Sequence, residues 1–330
     1  MHVMQIPTRK TNNSVPISAI PSMQKLKKIK SSRVPRVVAA ALISTSLFLH
    51  AAPSPPLAAN YIYEVTSEVE SKSYIFGSTH GSSSNMPINL GKCAKKILTE
   101  IDLVYIEADQ QAARKLSSSS MMVRMSEVID AMEQMQINTL SKIIYGADEP
   151  NDITKLRNSD AVAVLHQLRE LIPGTTEIMG IADYGLDTEV EIAAHLLGKP
   201  INFIETPEDQ LYFLQKIPPQ YFAAAINELI DIRSNTNTAK NYLNNILGSY
   251  RSAALGNEKG LMNDVLSPSY LYQKGIGSDR NESLTEKITT IFQESKKTKF
   301  IALGAAHLAG KGSVIERLRN AGFITKRLCN

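Results

Sequence analysis

No Asp or Glu occurs in residues 1–59, although that stretch holds eight of the 36 Lys and Arg. The formal charge of +4 therefore belongs to the beginning of the chain, and residues 60–330, with all 32 acidic side chains, carry a net −4. A weakly acidic body has no electrostatic footprint for nucleic acid, so that class of partner is set aside. No apolar run approaches the ~20 residues that span a bilayer, and no short-period repeat marks a solenoid. Two catalytic signatures are also missing: the HExxH of helical zinc proteases and the Gly-x-Ser-x-Gly elbow of serine hydrolases. Cysteine occurs only twice, at positions 93 and 329.

The acid-free leader has its own pattern. A basic segment ending at Arg36 is followed by the largely apolar run Val37 to Leu49 and then by a Pro/Ala stretch closing on Leu57-Ala58-Ala59. That order reads as a secretory signal peptide over residues 1–59, with Met23 as an alternative start, and it predicts a periplasmic or secreted body. If the leader is not cleaved, the same segment anchors the protein to a membrane. Export places Cys93 and Cys329 where a disulfide persists, and the sequence leaves open whether they form one.

In the body, apolar runs predict strands over Tyr61–Val65, Ser73–Gly77, Leu103–Glu107, Ile201–Glu205, Lys299–Leu303 and Phe323–Leu328. Helical spacing fits Leu90–Ile101, Asp187–Leu197 and Val314–Asn320. The fold class is α/β: a mixed central sheet with two related βα halves, capped by helical insertions at about 110–180 and 207–299. The first half reads as a βαβ unit whose two strands are parallel neighbours. His80 and Glu107 then meet on one edge of the sheet, where ligands of open α/β sheets sit.

Two strands end alike. Phe76-Gly77-Ser78-Thr79-His80 and Leu303-Gly304-Ala305-Ala306-His307 each break at glycine and deliver an imidazole three residues later. Glycine there permits unusual dihedrals or a close approach by a ligand or backbone. Two other apolar strands end on carboxylates, Glu107 and Glu205. Together they form a His2Glu2 set, which suits a divalent cation through nitrogen and oxygen. Asp109 and Asp187 are weaker candidates, and His166 and His195 sit within helical periodicity as ordinary surface or core residues.

These stretches, with Gly185 to Val190, Ile201 to Leu211 and Arg280-Asn281, resemble the TraB/GumN family, related to the Tiki metalloproteases, over nearly all of the body. The resemblance implies an α/β domain similar to that of ChaN-like and erythromycin-esterase-like proteins. It also implies a divalent-metal site for Mn, Co or Zn, and hydrolysis of a peptide or protein substrate. On that expectation His80 and His307 hold the cation, Glu107 completes or orients the shell, Glu205 acts as general base, and Arg280 stabilises an oxyanion or buttresses a ligand. The alternative is a non-catalytic haem-, metal- or peptide-binding protein on the same fold. Oligomeric state is not readable.

Overall fold

The nine strands and helices placed by periodicity are present, and the strand order explains the site. The computed structural model describes residues 56–66, 72–81, 83, 86–109, 112, 123–146, 150–175, 185–264 and 277–329. The leader over 1–55 lies outside the described residues. In chain order come β1 (Leu57–Ala59), β2 (Ile62–Thr66), β3 (Lys72–Ser78), β4 (Ile88–Leu90), α1 (Lys92–Glu100) and β5 (Leu103–Ala108). The first insertion supplies α2 (Met125–Ile129), α3 (Gln134–Tyr145), α4 (Pro150–Arg157) and α5 (Ala161–Glu170). After α6 (Leu186–Leu196) and β6 (Ile201–Glu205) come α7 (Pro207–Gln215), α8 (Pro219–Ser234), α9 (Thr236–Leu255), α10 (Glu258–Asp264) and α11 (Ser278–Glu294). The chain closes with β7 (Lys299–Gly304), a 3-10 turn at Ala305–Leu308, α12 (Val314–Asn320) and β8 (Ile324–Leu328).

The main sheet has the order β6-β5-β7-β3-β2-β8, with β6, β5, β7 and β3 mutually parallel and β2 antiparallel to both of its neighbours. The expected βαβ unit is corrected in one respect. β3 and β5 are parallel but not adjacent, because β7 lies between them and pairs with both. The reason is in β7 itself: all six of its residues are buried. A strand buried at every position has cover on both faces and a partner on both edges, which only a central place provides. The two glycine-histidine strands are thereby side by side, with Ser78 level with Gly304.

Side chains alternate across this sheet into two cores. On one face Phe76, Phe300, Ala302 and Ile106 pack with Leu98 of α1 and with Leu186 and Val190 of α6. On the other, Ile75, Ile301 and Leu303 pack with Leu284 and Ile288 of α11 and Leu318 of α12. Burying each such side chain contributes roughly 1.5–3 kcal/mol. The expected second insertion is therefore divided, since α11 covers the sheet. A third core joins the two insertions: Leu140, Val164 and Leu168 from the first meet Phe222, Ile226 and Leu243 from the second. Both insertions leave the sheet at the same end, after β5 and after β6.

The folded body also starts earlier than expected. Leu57–Ala59, read above as the end of the leader, form β1, pair in parallel with Ile88–Leu90, and bury Ala59 completely. Short apolar residues serve a cleavage site and a strand equally well, and here the backbone bonds decide: Gly91 N–H donates to Ala59 O (3.0 Å) and Asn60 N–H to Ala254 O (2.9 Å). No helix among the described residues is long and apolar enough to cross a membrane.

Cys93 on α1 and Cys329, just past β8, are joined by a disulfide, with Cα atoms 6.2 Å apart and a sequence separation of 236. A bond across so long a loop removes conformational freedom from the unfolded chain. The Cys93→Ser/Cys329→Ser variant is expected to lose about 2–5 kcal/mol of stability, seen as a lower urea midpoint with a steeper slope, because the unfolded chain expands without the cross-link. An unchanged midpoint would show that the cross-link holds nothing that packing does not already hold.

Candidate active site

The site is assembled from the ends of four parallel strands. Glu107 is the penultimate residue of β5, β6 ends in Glu205, β3 runs into His80, and β7 runs through Gly304 into the 3-10 turn that carries His307. Strand β6 stops where it does because Thr206 caps α7. Its hydroxyl accepts from Asp209 N–H (3.2 Å), Asp209 accepts in return from Thr206 N–H (2.8 Å), and Pro207 takes the first helical position.

Arg280, from the first turn of α11, joins the two glutamates. Its Nη2 donates to Glu107 Oε1 and to Glu205 Oε2, each at 2.5 Å, and its Nε lies 3.1 Å from both Glu205 oxygens. Gln210 adds a donor to Glu205 Oε2 at 3.3 Å. The second oxygen of Glu107 accepts from Gly304 N–H at 2.7 Å. All three charged side chains are buried. Burial alone would raise the Glu107 carboxyl, but Arg280, then the two imidazoles and the Gly304 amide, outweigh it and hold the group far below the carboxylate range.

Both histidines face the same oxygen. His80 Nε2 lies 4.0 Å and His307 Nε2 3.8 Å from Glu107 Oε1. The outer ring nitrogens are anchored differently. His80 Nδ1 hydrogen-bonds Asp187 Oδ2, and His307 Nδ1 lies 2.6 Å from Asn281 Oδ1. Asn281 donates through Nδ2 to Gly312 O at 3.0 Å, so its carbonyl oxygen is the atom turned to the ring. A carboxylate and an amide oxygen can only accept here, which places a proton on each Nδ1 and leaves each Nε2 as the atom that gains or loses a proton.

The environments then divide the pair. The Asp187 carboxylate raises the pKa of His80 to about 9 against opposing desolvation, with Glu107 adding to the rise. Burial pushes His307 down to about 4, and Glu107 only partly compensates. The His80 side chain is 55% exposed and that of His307 5%.

The motif glycines also differ. A Cβ on Gly304 would lie 3.3 Å from Glu107 Oε2, 3.4 Å from His307 Cδ2 and 3.6 Å from His80 Nε2. A Cβ on Gly77 would instead lie 2.3 Å from the ring of Tyr61. Neither has positive φ, so close approach is the reason for glycine at both positions, to the site at one and to a packed ring at the other. Gly185 brings α6 and Asp187 against the His80 loop, since a Cβ there would lie 2.1 Å from Thr79 O.

Of the residues named from sequence, His80, His307, Glu107, Glu205 and Arg280 come together. Arg280 has the buttressing arrangement, with Glu205 turned onto it through both oxygens. Asp187, a weaker candidate by pattern, anchors His80, and Asn281 does the same for His307. Asp109 instead accepts from Ala112 N–H at 3.0 Å. His166 and His195 lie on exposed helix faces beside Glu170 and Glu191. Among the described residues no three or more His, Cys, Asp or Glu side chains are grouped as a metal-binding set.

A histidine-carboxylate-guanidinium cluster at the carboxyl ends of the four parallel strands marks an α/β protein with its candidate site at the strand ends. A sequence model of the TraB/PrgY/gumN family matches residues 61–327, and the chain belongs to that family. No curated protein and no solved structure matches it.

Arg280→Met leaves two carboxylates buried without a cation, and is expected to lose about 3–5 kcal/mol at neutral pH. With its folded pKa depressed, Glu107 contributes stability above the unfolded carboxyl pKa and loses that contribution as the pH falls. In the variant the sign reverses, because an unpaired buried carboxyl favours its proton. Urea denaturation at neutral pH and at about pH 4.5 should therefore show the variant's deficit shrinking in acid. A deficit independent of pH would show that Arg280 does not act through its charge.

Proposed function

We propose that this protein is an exported, metal-dependent hydrolase of peptide or other amide bonds, with a divalent cation held by His80, His307 and Glu107. The observation that carries the reading is the convergence of two imidazole Nε2 atoms on Glu107 Oε1, each ring steadied from behind by Asp187 or Asn281. Partners of that kind orient ligating histidines and raise their basicity. Two donors sharing one tetrahedral ion at ~2.1 Å stand about 3.4 Å apart, so the observed 3.8 and 4.0 Å require only small side-chain movement.

Charge supports the same reading. Glu107, Glu205 and Asp187 are buried with the guanidinium of Arg280 and share the proton that Asp187 favours on His80, a positive charge that a cation bound at His80 would displace and replace. Buried charge is ordinarily paired or bound to metal, and a divalent ion balances this set.

A bound Mn, Co or Zn ion supplies Lewis acidity and a water acidic enough to attack a carbonyl near neutral pH. The chain's own groups have distinct parts. Glu107, kept ionised by Arg280 and Gly304, suits a donor and not a base, which needs a pKa near the working pH. Glu205 has both oxygens on Arg280 and fixes the guanidinium in place. Arg280 uses Nε and Nη2 for the glutamates, and Nη1 is the donor that would meet an oxyanion. Haem capture wants an apolar wall beside an axial ligand and draws no support from a site lined by Glu107, Arg280, Asp187 and Asn281. Export is supported by the leader pattern and by the disulfide.

Metal content of the purified protein tests the reading directly. Stoichiometric Mn, Co or Zn is expected in the wild type and none in His80→Ala/His307→Ala, with metal-dependent peptide cleavage lost alongside. Asp187→Asn removes no donor, and its cation affinity is expected to fall about 10–100-fold. Equal, negligible metal in wild type and double variant after reconstitution would sink the proposal.

A further inference from the structure

β6 and β8 close the two ends of the six-stranded sheet, and their outer edges are built differently. β8 contains Lys326 and Arg327 and runs straight into the Cys93–Cys329 disulfide. Charge on an edge strand and a clamp beside it are ordinary protection against stray pairing. β6 reads Ile201-Asn202-Phe203-Ile204-Glu205, with no lysine, arginine or proline, and its one charge is turned inward onto Arg280. Pro200 and Pro207 frame it and limit any pairing to a window of these residues.

Among the described residues, no strand pairs with the outer side of β6, and residues 201–204 make no backbone hydrogen bond outside the ladder with β5. A strand paired on one side only presents its remaining N–H and C=O groups as an open row. Such a row is matched by another extended backbone, with alternate side chains sampling the flanking surface. Here Phe203 of the strand itself is 41% exposed. The direction of β6 matters too. It runs toward the site and ends on Glu205, so a chain laid along it reaches the strand ends where Glu107 stands, two strand spacings of ~4.8 Å away.

We infer that the β6 edge binds an extended polypeptide segment as a seventh strand, with an apolar side chain against Phe203, and leads the adjoining residues over the strand ends. The inference rests on the hydrolase reading for its purpose and deepens it, by naming the substrate as unfolded or extended chain instead of a folded surface.

Hydrogen–deuterium exchange on the whole wild-type chain in EDTA tests it, with reduced, carboxymethylated α-lactalbumin as a permanently unfolded probe. Amide exchange in residues 201–205 is expected to slow roughly tenfold or more with probe, and Phe203→Lys, a charge at a half-exposed position, is expected to abolish that slowing. Unchanged exchange at 201–205, whether the probe binds elsewhere or not at all, overturns the inference. So does protection without probe that grows with protein concentration, since a second copy then occupies the edge. Cleavage of the same probe by the metal-loaded protein is read separately. Cleavage with a silent edge sinks the edge alone, and a protected edge without cleavage sinks the hydrolase reading alone.

Discussion

The Arg280 guanidinium, held between Glu107 and Glu205, is the constraint on which the site's geometry depends. It joins positions 107, 205 and 280, and through Glu107 it reaches Gly304 on β7. Two carboxylates at the ends of apolar strands are costly without a counter-charge, and one cation shared between them satisfies both. Replacing such a triad by apolar groups is often neutral for stability. Its contribution here is to position: with Oε2 fixed on a backbone amide and Oε1 on Arg280, the Glu107 carboxylate has one orientation, and both histidines are arranged around it.

That arrangement was partly legible in the chain. Apolar runs located β3, β5, β6 and β7; β5 and β6 carry a site glutamate at or next to their ends, and β3 and β7 each lead into a site histidine within three residues. Strand order was not legible, since local pattern shows that a segment is extended and not which segment lies beside it. The buried character of all six β7 residues was the available signal for a central strand. Asp187 was harder to single out, because an acidic residue in the first turn of a helix ordinarily answers the helix dipole. Only the approach of Gly185 to the His80 loop gives it another partner. Asn281 carries no pattern signal of its own and acquires its role from Gly312, which fixes the direction of its amide.

The insertions place a second constraint on the same edge. They leave from the ends of β5 and β6, the two glutamate strands, and share one core formed by α3, α5, α8 and α9. A packed core that follows both strands in the chain opposes their separation and so favours Glu107 and Glu205 within reach of one guanidinium. The residues that form this core contribute nothing to the chemistry directly. Their apolar periodicity was readable, but the pairing of one insertion with the other was not, for the same reason that strand order was not.

The two glycine-histidine motifs are a pair in sequence and unequal in chemistry. His307 is buried and backed by a neutral amide, and a proton on its ring has little to stabilise it. His80 is open to solvent and backed by a carboxylate, which favours positive charge on or beside the ring. The same contrast holds for any cation placed between them: the Asp187-backed imidazole is the stronger donor and the one from which the ion is reached from solvent. His307, confined by Asn281 and the turn after Gly304, supplies direction. For a cation held as proposed, entry and capture would fall to His80, and the fixed geometry that would make capture specific to His307 and the Arg280-bound Glu107 behind it.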